Sequence, residues 1–224
     1  VLMDKLVEES YKSAYEVTRD LKDGVVMAVE TLANEALDWW RRNDSIPVTD
    51  YTDDTFEAEV KDDCLTIVYR LLFIFYAESR EELNILPTAD EVYARGYSLE
   101  MLRDLEKVPL ASEEARNGFF IHESLSRLFG LLSSGYRENG PAAAGKSFSV
   151  RHIDSPLFND ARLKHLAGVK MRNLAWQKII RALSLSHRDR QVGRISYANL
   201  GVNQLGSVYE SLLAYRGFYA EEDY

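Results

Sequence analysis

The chain has one cysteine, no adjacent pair of prolines and no apolar run long enough to cross a membrane. Cys64 by itself cannot form an internal disulfide. Its place in the most apolar segment reads as a small buried hydrophobe, kept reduced in a cytoplasm. The longest apolar stretch, Cys64 to Ala77, is too short to span a bilayer and is interrupted by Arg70. The N-terminal segment Leu2-Met-Asp-Lys-Leu-Val-Glu-Glu9 is charged and helical in character, unlike a secretory signal. Because the first residue is Val1, an excised piece of a longer polypeptide is expected. Metal-ligand patterns are missing too. His122-Glu123 is followed by Ser126 where a zinc-protease helix needs a second histidine, and His152, His165 and His187 lack metal-like spacing. A cytoplasmic chain with no membrane segment and no metal site is the expectation.

What is present is apolar mass and an uneven charge. With 224 residues and 46% hydrophobic content, the chain can bury a core as one domain or as two closely packed helical subdomains. The net charge of −9 argues against indiscriminate nucleic-acid binding, yet the average conceals an asymmetry. Residues 1–150 carry 16 basic and 29 acidic side chains, whereas residues 151–200 carry ten basic against three acidic. That basic stretch is either a surface facing a polyanion or a solvated face paired with the acidic N-terminal half.

Apolar spacing predicts helices nearly throughout. The first 42 residues read as two helices, or as one kinked near Gly24. A helix from about 55 to 83 is apolar on almost every face, which places it at the centre of a core. Ser98 caps a short helix, and Ser112 opens a longer one through Leu132 that Gly135 terminates. Residues 135–155, rich in Gly, Ala, Ser and Pro, read as a loop or boundary, with alternation over 146–153 suggesting a short extended element. Further helices follow over Met171 to Leu185 and Asn203 to Tyr215, with Gln191-Val-Gly-Arg194 breaking the pattern. The expected architecture is an all-α, bundle-like fold. It comprises an N-terminal helical region (1–134), the 135–155 connector and a basic C-terminal helical region (156–224).

Gly140-Pro-Ala-Ala-Ala-Gly-Lys-Ser147 matches a phosphate-binding loop letter for letter. It lacks the buried strand before it and the helix after it that such a loop requires, so a nucleotide hydrolase using Lys146 is a minor reading. Asp50, Asp53, Asp54 and Glu59-Val-Lys61 contain the residue types of a metal-dependent nuclease, but the helical pattern through Phe56, Val60 and Leu65 makes a solvated helix face the better reading. Trp39-Trp40 and Phe73, Phe75 and Tyr76 are read as core rather than as a base-stacking platform.

Three segments carry a family resemblance. They are Tyr69-Arg-Leu-Leu-Phe-Ile-Phe-Tyr-Ala-Glu-Ser-Arg80 with Leu86-Pro87 after it, Ile153-Asp-Ser-Pro-Leu-Phe158, and Ile195-Ser-Tyr-Ala-Asn-Leu-Gly-Val-Asn-Gln-Leu-Gly-Ser-Val-Tyr-Glu-Ser-Leu-Leu213. In this order they resemble the helical region that precedes the catalytic domain of large adenine-specific DNA methyltransferases, including type IIG restriction-modification enzymes and related phage-defence methyltransferases. Ser155-Pro156 stands where the family usually has glycines. The family's Asx-Pro-Pro-Tyr/Phe motif and its glycine-rich turn for S-adenosylmethionine are not found in this chain.

The resemblance implies a non-catalytic helical part of a parent methyltransferase. The parent would use S-adenosylmethionine as cofactor, this part would hold none, and the catalytic core would lie C-terminal to Tyr224. It also implies double-stranded DNA as the parent's partner. Lys164, Lys170, Arg172, Lys178, Arg181, Arg188 and Arg190 are the candidates for contacts to the DNA backbone, which position a duplex without reading its sequence. The competing expectation is a helical protein-interaction adaptor with no direct DNA contact.

Overall fold

In a computed structural model, the described residues are 2–45, 54–137, 148–188 and 191–213, of which 2–14, 54, 187, 188, 191, 212 and 213 are described in backbone only. The first helix, α1 (Leu2–Arg42), runs without interruption through Gly24. Of the two expectations, the division into two helices is not found, and the glycine serves a tertiary contact. A Cβ at Gly24 would lie 2.0 Å from the carbonyl oxygen of Ala182, so α1 and α7 (Asn173–Ser184) touch backbone to backbone there.

The apolar helix α2 (Asp54–Glu78) lies in the core as its composition requires, with Cys64, Val68, Leu71 and Ile74 fully buried. It ends five residues before the expected Leu83, and the short 3-10 turn Glu81–Leu83 follows it. The helices α3 (Glu91–Gly96) and α4 (Leu99–Arg103) come next, capped by Asp90 and Ser98. The 3-10 turn Asp104–Lys107 extends α4.

The helix expected from Ser112 through Leu132 is two helices, α5 (Glu113–Asn117) and α6 (Phe120–Ser134). One side chain of α7 accounts for the break. Asn173 accepts from the backbone N–H of Ile121 and donates to the carbonyl of Ala115, while its own N–H donates to the carbonyl of Gly118. Asn173 therefore satisfies the orphan backbone groups at both helix ends. Gly135 ends α6 at a positive φ of 70°, but its ψ of 169° sends the chain straight into β1 (Tyr136–Arg137).

β1 pairs antiparallel with β2 (Ser149–Val150), inside the stretch expected to be extended. A second antiparallel hairpin, β3 (Leu185–Arg188) and β4 (Gln191–Arg194), stands where the pattern was read only as broken, with Leu185 opposite Arg194. Helix α8 (Val202–Leu213) closes the described chain and packs on α1. One cluster of buried apolar residues extends from Val17 to Val208 and takes in Phe148 and Val150 of the expected boundary segment. No helix among the described residues is long and apolar enough to cross a membrane.

Candidate nucleic-acid interface

The three resemblance segments are far apart in the chain and adjacent in space, with α2 at their centre. Arg70, 1% exposed, donates from Nε to the carbonyl of Leu157 at 2.6 Å and from Nη1 to Asp160 at 2.6 Å. Its guanidinium also lies over the rings of Phe129 and Phe158. Three turns on, Arg80 donates to the carbonyls of Ala198 and Leu200 at 3.0 and 2.8 Å. Between them, Phe73 meets Phe158 edge-on, Phe75 stacks on Tyr197 and Tyr69 lies 4.4 Å from Tyr209, centroid to centroid. A planar guanidinium with several fixed donors suits the capture of carbonyls at the ends of 3-10 turns.

The basic stretch divides when its side chains are placed. Lys164 pairs with Glu59 at 2.5 Å, and His165 contacts the other oxygen of that carboxylate at 2.7 Å. These contacts lower Glu59 below the ordinary carboxylate range, the hydrogen bond from Lys164 being the largest cause. Beneath them, buried Asp63 accepts from the successive backbone N–H groups of Lys164, His165 and Leu166. Arg172 is held on α1 by Glu35 and Asp38 at 2.7 and 2.6 Å. Arg194 reaches Asp104 and Glu106, both at 2.8 Å. For Lys164 and Arg172 the acidic N-terminal half is thus the partner.

Lys170, Lys178 and Arg181 are exposed. Lys170 stands by the Phe119 ring and near His122, which burial, aided by the charge of Lys170, pushes below the ordinary imidazole range. Lys178 and Arg181 border a cleft whose facing wall carries Asp20 and Asp23. Arg188 ends β3 with its side chain outside the described set, and Arg190 lies outside the described residues. The phosphate-loop match at 140–147 also lies outside them. Of the seven candidates, Lys164 and Arg172 are thus paired with acids, and Lys170, Lys178 and Arg181 are exposed.

Sequence reasoning missed the anchor of the hairpin. Arg103 of α4 donates from one nitrogen to the carbonyls of Ser184 and Ile195 at 3.1 and 2.7 Å, the residues flanking β3 and β4, while Arg194 grips the turn after α4. No local signal reports these contacts, because each spans roughly 80 to 90 residues.

Of the nuclease-like set, Asp50 and Asp53 and the side chain of Asp54 lie outside the described residues. Glu59 and Lys61 lie on helix α2, and Glu59 is engaged by Lys164 and His165. Among the described residues no cluster of His, Cys, Asp or Glu is arranged to hold a metal ion. Burial pushes the Cys64 thiol up, which disfavours the thiolate a nucleophile needs. Comparison with protein-family models, curated proteins and solved structures finds no match to this chain.

Proposed function

We propose that this chain is the helical brace of a DNA adenine methyltransferase or restriction-modification protein, itself without catalytic groups. The convergence on α2 carries the reading. Residues that bear the family resemblance, Tyr69, Arg70, Phe73, Phe75 and Arg80, are the ones that contact the other two resembling segments. A short motif match by chance carries no requirement that its parts meet. S-adenosylmethionine and the target adenine would be handled by the parent's catalytic core, and α2 would hold the segment leading to that core against the rest of the brace.

DNA contact, in this reading, is made through the phosphate backbone. Lys164 and Arg172 are committed to acids, and Lys178 and Arg181 face two aspartates, so among the described side chains the exposed Lys170 is the candidate for phosphates; Arg188 and Arg190 are taken as further phosphate contacts on their sequence alone. Titration of a fluorescent duplex at increasing salt tests this. Binding should weaken with a log–log slope of about −2 to −3. Replacing Arg188 and Arg190 by alanine should reduce that slope by about 2. A binding constant unchanged between low and moderate ionic strength contradicts the DNA contact.

The alternative, a protein-interaction adaptor without DNA contact, is favoured by one observation: Lys164 and Arg172, two of the seven cations, are paired with acids of the same chain. No salt-dependent duplex binding, with a folded chain, would move this reading to first place.

A further inference from the structure

The cleft between α1, α7 and the β3–β4 hairpin has walls of opposite charge. Gly24 brings α1 against Ala182 of α7, and beside this closest approach the helices leave a depression of about 400 Å³. Asp20 and Asp23, one turn apart, stand on the α1 wall, and Lys178 and Arg181, also one turn apart, stand on the α7 wall. The apolar part is supplied by Met27, Leu185 and Val192. Met27 and Val192 are 55% and 54% exposed.

No ion pair crosses this cleft among the described residues. Asp20 contacts only its neighbour Arg19, at 3.5 Å, and its Oδ2 is buried without a hydrogen-bond partner. Phosphate is a poor occupant, since an anion reaching Lys178 and Arg181 would confront Asp20 and Asp23 across the groove. A purely apolar ligand would leave both charged walls unanswered.

We propose that this cleft docks an amphipathic helix of a protein partner. The partner helix has a narrow apolar stripe, flanked along one side by basic residues one turn apart and along the other by acidic residues one turn apart. The apolar stripe enters between Met27 and Val192, its cations meet Asp20 and Asp23, and its carboxylates meet Lys178 and Arg181. The spacing matches on both sides, because residues three or four apart share a helix face. This site is independent of the methyltransferase reading.

The test uses three synthetic helical peptides of about five turns with the same leucine stripe. The first has lysine on one flank and glutamate on the other, the second lysine on both, and the third glutamate on both. Anisotropy of the labelled peptides against the protein should show the mixed peptide binding at least about tenfold more tightly than either uniform one. The double variant Asp20→Asn/Asp23→Asn and the double variant Lys178→Gln/Arg181→Gln should each remove most of that preference. Coincident thermal melting confirms that they are folded, and Val192→Glu, at an exposed site, should weaken binding through the apolar stripe alone. Equal binding of the three peptides, tightest binding of a uniform one, or displacement of the mixed peptide by duplex DNA would overturn the proposal.

Discussion

The Nε of Arg70 donates to the carbonyl of Leu157 across 87 residues of sequence, at 2.6 Å and almost wholly out of water. Burying a guanidinium is costly unless its donors are used; here Nε is spent on the turn that includes Phe158, while the buried Nη2 has no hydrogen-bond partner among the described residues. Asp160, 70% exposed, takes a second donor, so the charge is neutralised from the solvent side. The arginine inside the most apolar helix thus has a structural reason: it ties the centre of the core to a segment built only of the short 3-10 turns Pro156–Phe158 and Asp160–Arg162.

Arg70→Met, which keeps the apolar stem and removes the donors, should destabilise the fold by roughly 2–4 kcal/mol. Urea denaturation would show this as a fall in the midpoint at an unchanged slope. A loss below about 0.5 kcal/mol would mean that the anchor is dispensable.

Gly24→Ala adds one methyl group where 2.0 Å is available to the Ala182 carbonyl oxygen. Intrinsic helix propensity would favour alanine by about 1 kcal/mol. The backbone clash should win, costing about 3 kcal/mol or more as α1 and α7 are forced apart. Thermal melting decides it, and a stabilised variant would contradict the observed crossing.

Arg172→Ala should act on folding rather than on binding. It leaves Glu35, 7% exposed, with the backbone N–H of residue 172 but without the two guanidinium donors, and loss of such charge-assisted hydrogen bonds costs about 1.5–3 kcal/mol. Lys178→Ala and Arg181→Ala, at exposed positions, should each stay within about 0.5 kcal/mol of the parent. Equal effects at all three sites in chemical denaturation would show that Arg172 is not internally bound.

Burial pushes Glu78 up to about 7, against hydrogen bonds from Tyr93 and from the backbone N–H groups of Leu99 and Glu100 that favour its charge. A folded value above the ordinary 4.5 means that the fold binds this proton more tightly than the unfolded chain does. The contribution of Glu78 to stability therefore rises as pH falls from above 7 toward 4.5, and is lost on the way up. The amplitude should be at most roughly 3 kcal/mol. Stability curves of the parent chain and of Glu78→Gln, compared from about pH 5 to about pH 8, should diverge accordingly. Parallel curves would contradict a raised Glu78.

Much of the helical architecture was legible because it follows from local composition. The all-round apolar character of α2 placed it in the core, Ser98 marked the start of α4, and alternation near Val150 marked a strand. What was not legible depends on distant partners. Gly24 looked like a break until Ala182 was beside it, and Asn173 divides α5 from α6 from more than 50 residues away. The β3–β4 hairpin, with a polar His187-Arg-Asp-Arg-Gln191 run, shows no apolar alternation, and its anchors Arg103 and Arg194 act over long range. The basic stretch had two readings for the same reason. Spacing counts charges, but only the fold shows that Glu35 and Glu59 already occupy Arg172 and Lys164.

The central claim, that this chain braces an adenine methyltransferase core, is tested most directly by sequencing the reading frame beyond the codon for Tyr224. The account predicts a glycine-rich turn for S-adenosylmethionine, followed by an Asx-Pro-Pro-Tyr/Phe motif. A stop codon there, or an unrelated domain, would contradict it and leave the adaptor reading in first place.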